Sequence, residues 1–229
     1  MVGKDPNRVT VNVPADPLLT RSNYFKAALE RNRVNGAKQS VILPDVTIED
    51  FDAYLGWVYR GEIVTKQPIK RFGGKDEQLA RIWIVGEKLG DLKLRNAVID
   101  KFIERFKTNW LYPDFPAIKL IWENTAPGCT LRKLVLHSYM SLPCPEYMKQ
   151  HHADFHPEFL TELTFALLEK ACDGGPKLKH PWGLGACTFH EHDERFPKCK
   201  QTALPSDTPK SWSAQRRMQV ARSLGLVVF

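Results

Sequence analysis

Near the start of the chain Val9, Val11 and Val13 alternate with Thr10 and Asn12, the period-two pattern of a short strand. Pro14 and Pro17 end it. Leu18, Leu19, Tyr24, Phe25, Ala28 and Leu29 then follow at largely helical spacing, with Gly36 as a stop. Val41-Ile42-Leu43, bounded by Pro44, reads as a second strand. Thr47 stands where an N-cap belongs, with Asp50 at the third helical position. Phe51, Tyr54, Leu55 and Val58 form one apolar stripe behind it, closed by Gly61. Residues Thr65 to Glu77, with Pro68, Gly73, Gly74 and several charges, read as an exposed loop.

Beyond that loop the pattern turns helical. Helices are expected from about Gln78 to Leu89 and from Leu92 to Phe106, broken at Gly90, the second with Leu92, Ile99, Phe102, Ile103 and Phe106 on one side. Pro116 suits the first turn of a helix through Trp122. Thr130 is placed to cap a helix bearing Leu131, Leu134, Val135, Ser138 and Leu142, stopped by Pro143. Pro157 can open another carrying Phe159, Leu163 and Leu167, stopped by Gly174-Gly175. After Pro176 the chain is rich in Gly, Pro, His and Cys and has no amphipathic period. The fold class expected is α+β, mainly helical with a small N-terminal sheet.

Composition narrows the class. Of 229 residues, 43% are hydrophobic and 26% charged, enough apolar side chain for a globular core. No run approaches the roughly 18 apolar residues of a membrane span, so no membrane partner is expected. The opening MVGKDPNRVTV has no apolar run of signal-peptide length. Five widely spaced cysteines in a chain of this length fit a reduced, intracellular setting, cytoplasm or nucleus.

The net charge of +7 raises nucleic acid as a partner, and its distribution lowers it again. Residues 200–229 carry Lys200, Lys210, Arg216, Arg217 and Arg222 against one acid, Asp207. That leaves +3 for residues 1–199. The tail lacks a block of five or six like charges and reads as a basic, disordered end.

The pattern resembles the BTB/POZ family. Pro17-Leu-Leu-Thr-Arg-Ser22-Asn-Tyr24-Phe25-Lys-Ala-Ala-Leu29 is similar to that fold's "LL…RS.YF.A.L" helix. Val41-Ile-Leu43-Pro-Asp45 through Phe51, Leu55 and Val58-Tyr59-Arg-Gly61-Glu-Ile63 resembles its "L.D…F…L.Y.Y.G.I" strand and helix. Leu79 to Glu87, then Leu89, Leu92, Leu94 and Val98, look like its paired closing helices. The resemblance covers residues 9–108. Residues 109–175 then look like a helical extension, and 176–199 like the Cys/His-containing end found in fungal members; Leu131-Arg132-Lys133-Leu134 and Phe189-His190-Glu191-His192 carry that likeness.

One departure stands out. The family places a turn, a second strand and a His-containing helix start between the first strand and the Leu-Leu pair. Here Pro14-Ala15-Asp16-Pro17 alone joins them. The first sheet should therefore be incomplete, with an unpaired edge. The resemblance implies a protein–protein interaction module that dimerises and recruits partners, with Val9, Val11, Leu18, Leu19, Tyr24 and Phe25 in the dimer interface. It also implies a role as substrate adaptor for cullin-type ubiquitin ligases, although the hydrophobic-x-Glu contact of such adaptors has no clear counterpart in the Thr65–Glu77 loop. The alternative is a nucleic-acid-associated transcriptional regulator, since family members often carry DNA-binding domains.

Candidate chemistry concentrates in one place. Cys187, His190 and His192, with Cys199 farther on, offer two sulfurs and two imidazoles, a set suited to tetrahedral structural zinc with no open position for water. His-x-His is tighter than the usual His-x₃₋₅-His, and a solvated loop with unrelated Cys and His is the plainer reading. His190-x-His192 also hints at a metallohydrolase element, but Glu194 and Arg195 stand where that element needs Asp and His. Gly73-Gly74-Lys75-Asp76 lacks the first Gly and the Ser/Thr of a phosphate loop. No Ser or Cys sits in a nucleophile-elbow pattern. His151, His152 and His156 read as a polar connection, and Trp57, Trp83, Phe102 and Phe106 as core. No catalytic residue is expected, and structural zinc is the one cofactor for which residues argue.

Overall fold

Helix α4, Lys75–Lys88, lies at the centre because it is apolar on nearly every side: Leu79, Ala80, Ile82, Trp83, Ile84, Val85 and Gly86 are all buried. A computed structural model describes residues 1–4, 6–35, 40–65, 74–109, 113–141, 145–173 and 178–199. The tail 200–229, the stops at Gly36, Pro143 and Gly174-Gly175, and most of the loop before α4 lie outside the described residues.

Before α4 come α1 (Ala15–Arg21), α2 (Asn23–Val34) and α3 (Ile48–Arg60). After it come α5 (Leu92–Asn109), α6 (Phe115–Asn124), α7 (Thr130–Ser141), the short α8 (Pro145–Gln150) and α9 (Pro157–Cys172). Helix α4 packs on α3, α5 and α6, while α6, α7 and α9 pack on one another. The extension therefore shares its core with the N-terminal half through α4. Residues 178–199 add turns at Pro181–Gly183 and Ala186–Thr188, of which the first packs on α5 and α7.

Several helix ends follow from local chemistry. Thr47 Oγ1 accepts from Asp50 N at 3.1 Å, and Gly61 closes α3 in the left-handed region at φ 72°. Pro116 sits in the first turn of α6, where Asp114 caps Ala117 N at 3.1 Å. Three helix starts differ from expectation. The stretch from Leu18 to Leu29 is two helices, because Ser22 turns extended and caps α2 through Phe25 N at 3.1 Å. Helix α7 takes its cap one residue earlier than Thr130: Cys129 O accepts from Lys133 N at 3.0 Å and Cys129 Sγ from Arg132 N at 3.5 Å. Helix α4 also starts three residues sooner than Gln78, with Asp76 and Glu77 in its positive first turn.

The small N-terminal sheet expected from Val9–Val13 and Val41–Leu43 is not formed among the described residues. In its place Val2 bridges Val9 antiparallel and Leu43 parallel. Val2 N donates to Val9 O at 2.8 Å, and Gly3 N to Leu43 O at 3.0 Å. Val11 and Val13 enter no bridge. The physical reason is the junction: Pro14 leads straight into α1, and Pro lacks the N–H that would extend a ladder.

Candidate functional site

The six residues expected at a dimer interface divide in two. Leu18 and Phe25 are 4% exposed and belong to the chain's own core, a correction to the interface set. Phe25 lies against the Phe51 ring at 6.4 Å. Helical period placed them inward, as the break at Ser22 resets the register. Val9 and Tyr24 are exposed, and Val11 and Leu19 half-buried. Tyr24 Oη donates to the backbone carbonyl of Ile42 at 3.3 Å, and both side chains are exposed. Val11, Ile48, Phe51 and Leu55 line a shallow apolar groove flanked by Glu49 and Asp52. Ile48, which no expectation included, is exposed on this face; its place at the first turn of α3, ahead of the Phe51 stripe, was the available signal.

Under this face Ser22 and Asp91 fix the geometry. Ser22, 1% exposed, accepts from Phe25 N and donates to Leu89 O, tying the start of α2 to the turn after α4. Asp91, also 1% exposed, caps α5 through Leu94 N at 2.9 Å and accepts from Trp57 Nε1 at 3.2 Å. Burial raises its carboxyl pKa, and those hydrogen bonds oppose the rise. Gly90 turns there at φ 64°, where a Cβ would meet Asn23 Cβ at 3.2 Å.

The Cys/His segment is held against α5. Asn96 clamps Glu191 twice, donating Nδ2 to Glu191 O at 2.8 Å and accepting from Glu191 N at 2.9 Å. The Glu191 carboxylate meets Arg95 Nη1 at 2.6 Å and accepts from Thr130 Oγ1 at 3.0 Å. Phe189 and Trp182 are buried and anchor the segment from behind. Arg195 Nη1 reaches Asn23 Oδ1 at 2.7 Å, at the start of α2.

Of the four expected metal ligands, Cys187, His192 and Cys199 bring ligand atoms within 4.8 Å of one another. His190 stands beside them: Nδ1 is 3.3 Å from Cys199 Sγ, and Nε2 is 2.8 Å from Asp100 Oδ1. Desolvation, and then the neighbouring Cys187, hold the Cys199 thiol above its ordinary pKa. Asp100 was not foreseen, since it sits 90 residues from His190 in sequence. His151 and His152 serve the connection before α9: His151 meets Asp154 Oδ2 at 3.2 Å, and His152 meets Lys149 O at 2.9 Å.

Residues 17–89 match the family model of the BTB/POZ domain. The chain carries a BTB/POZ domain. The match runs from Pro17, inside α1, to just past the end of α4, so Leu19, Tyr24 and Ile48 lie within it, whereas Val9, Val11 and α5 lie outside. No curated protein and no solved structure matches the chain. A BTB/POZ domain is a protein–protein interaction module, so protein partners are expected of this one. No helix among the described residues is long and apolar enough to cross a membrane.

Proposed function

We propose that this chain pairs with a second copy of itself through the N-terminal face of its BTB/POZ domain and recruits other proteins through its remaining surface. The observation that carries the reading is the backbone from Thr10 to Val13. Among the described residues it lies outside any bridge, and it runs beside the groove of Val11, Ile48, Phe51 and Leu55. Unpaired N–H and C=O groups next to apolar side chains suit pairing with another extended segment. A second copy supplies the same segment, and a two-fold contact buries both grooves at once. Light scattering on the full chain at tens of micromolar tests this. A dimer mass is the expected result, and a monomer mass overturns it.

Within the interaction class, a substrate-adaptor role for a cullin-type ubiquitin ligase rests on the BTB/POZ match alone. Capture of the chain by a cullin scaffold supports that role. Failure of capture, with the dimer intact, removes the adaptor role and leaves the pairing reading standing.

A further inference from the structure

We propose that Cys187, His190, His192 and Cys199 form a structural site for one zinc ion, braced from α5 by Asp100. The site sits where the Cys/His segment lies against α5, just beyond the BTB/POZ match.

Geometry comes first. Zinc holds sulfur at ~2.3 Å and nitrogen at ~2.0–2.1 Å in a tetrahedron, which puts neighbouring ligand atoms about 3.6 Å apart. The 3.3 Å from His190 Nδ1 to Cys199 Sγ is close to that spacing. Atoms of Cys187, His192 and Cys199 are already gathered within 4.8 Å. Closure needs His190 and the two sulfurs to draw in toward a common centre.

The second observation is the hydrogen bonding of one imidazole in the cluster. His192 Nε2 is buried without a hydrogen-bond partner, while Nδ1 faces Phe196 O at 3.3 Å. With the proton on Nδ1, donated to that carbonyl, Nε2 presents a lone pair with no donor to meet it. A buried acceptor left unmet is costly, and a metal ion would satisfy it.

Each histidine has one ring nitrogen held by an oxygen, as metal-ligating histidines usually have, which leaves the other nitrogen to bind a metal. For His190 that oxygen belongs to Asp100, and the imidazole side chain is 6% exposed. For His192 it is the Phe196 carbonyl. Binding would release two protons to solvent, one from each thiol, and both imidazoles would bind neutral. Two thiolates cancel the charge of the ion, and four protein ligands leave no position for water. The site would be a clasp with no hydrolytic role. It would secure a segment with little apolar surface of its own to α5 and, through Arg195 and Asn23, to α2.

The test is metal analysis of the full chain purified with zinc and then dialysed. One zinc per chain is expected, together with thiolate-to-cobalt absorption and tetrahedral visible bands after exchange for cobalt. Changing Cys187→Ser and Cys199→Ser together should abolish both signals. Asp100→Ala should weaken zinc binding by about 10–100-fold, an effect that a surface aspartate with a merely structural role would not produce. A wild-type chain that keeps no zinc and gives an octahedral cobalt spectrum overturns the proposal. So does equal zinc content in the double-serine variant. If that variant precipitates, the cobalt spectrum of the wild-type chain decides alone.

Discussion

Arg132 Nη1 lies 2.6 Å from Glu162 Oε1, joining α7 to α9 across 30 residues of sequence, with the arginine side chain only 2% exposed. Every guanidinium N–H has an acceptor. Nε donates to Thr125 Oγ1, Nη1 to Glu158 and Glu162, and Nη2 to the carbonyls of Trp122 and Thr125. The group also lies 5.1 Å from the Trp122 ring centre. A buried cation is tolerated when its donors are met in this way.

Arg132→Ala removes the cation and strands two backbone carbonyls. Glu158 and Glu162 remain partly exposed and can take up water, so the cost should fall at the lower end for a broken buried pair, about 3 kcal/mol. For a chain of this size that corresponds to a melting point lower by about 10 °C. Arg132→Lys should fall between wild type and alanine, because three donors on one nitrogen cannot reach both carbonyls and both carboxylates. Thermal unfolding followed by tryptophan fluorescence measures both, and a lysine variant as stable as wild type would refute the bonding scheme.

Legibility in the sequence tracked the range of each interaction. Helix α3 was readable end to end because its cap Thr47, its stripe and its stop Gly61 act within a few residues of one another. The break at Ser22 was not, since half its bonding goes to Leu89, 67 residues on. The N-terminal strand showed its period, but its bridging partner is Val2, a residue with no pattern around it. The Cys and His residues were visible as chemistry. Asp100 and Asn96, which orient and clamp that segment, look like ordinary polar positions on an amphipathic helix until the chain folds back onto them.

Ser22 carries two bonds through one hydroxyl, and that makes it testable. Ser22→Ala removes the α2 cap and one donor to Leu89 O, which still accepts from Tyr24 N at 3.3 Å. A loss of about 1–2 kcal/mol is expected. Ser22→Thr keeps the hydroxyl and should recover most of it. Urea midpoints for the two variants check this, and equal midpoints would refute a role for the hydroxyl.

Asp114 gives the chain a pH dependence with a definite sign. Its carboxyl is pushed up from 3.8 to about 6, mainly by burial and also by the nearby charges of Asp76 and Glu77, against the pull of Ala117 N–H and Arg105. The folded chain therefore binds this proton more tightly than the unfolded chain does. Between about pH 6 and pH 4 this group makes stability rise as pH falls, and above that window its ionised form carries the full penalty. Asp114→Asn keeps an N-cap of equal quality and has no charge to bury. The variant should be more stable than wild type above pH ~7, with the gap closing by pH ~4. A gap that stays constant across that range in urea titrations would rule out Asp114 as its source.

Ile48 separates pairing from folding. It is exposed, lines the apolar groove, and occupies the first turn of α3 beside Glu49 and Asp50. An acid at that position suits the positive end of the helix, so Ile48→Asp should unfold close to wild type. In a two-fold contact the same substitution meets the partner twice. A carboxylate placed in an apolar contact, at about 1.4 kcal/mol for each copy, would weaken the dimer about a hundredfold. Sedimentation across a concentration series should show the variant as a monomer where the wild type is dimeric, with matching circular dichroism. A variant dimer as tight as wild type would move the interface off this face while leaving the zinc site untouched.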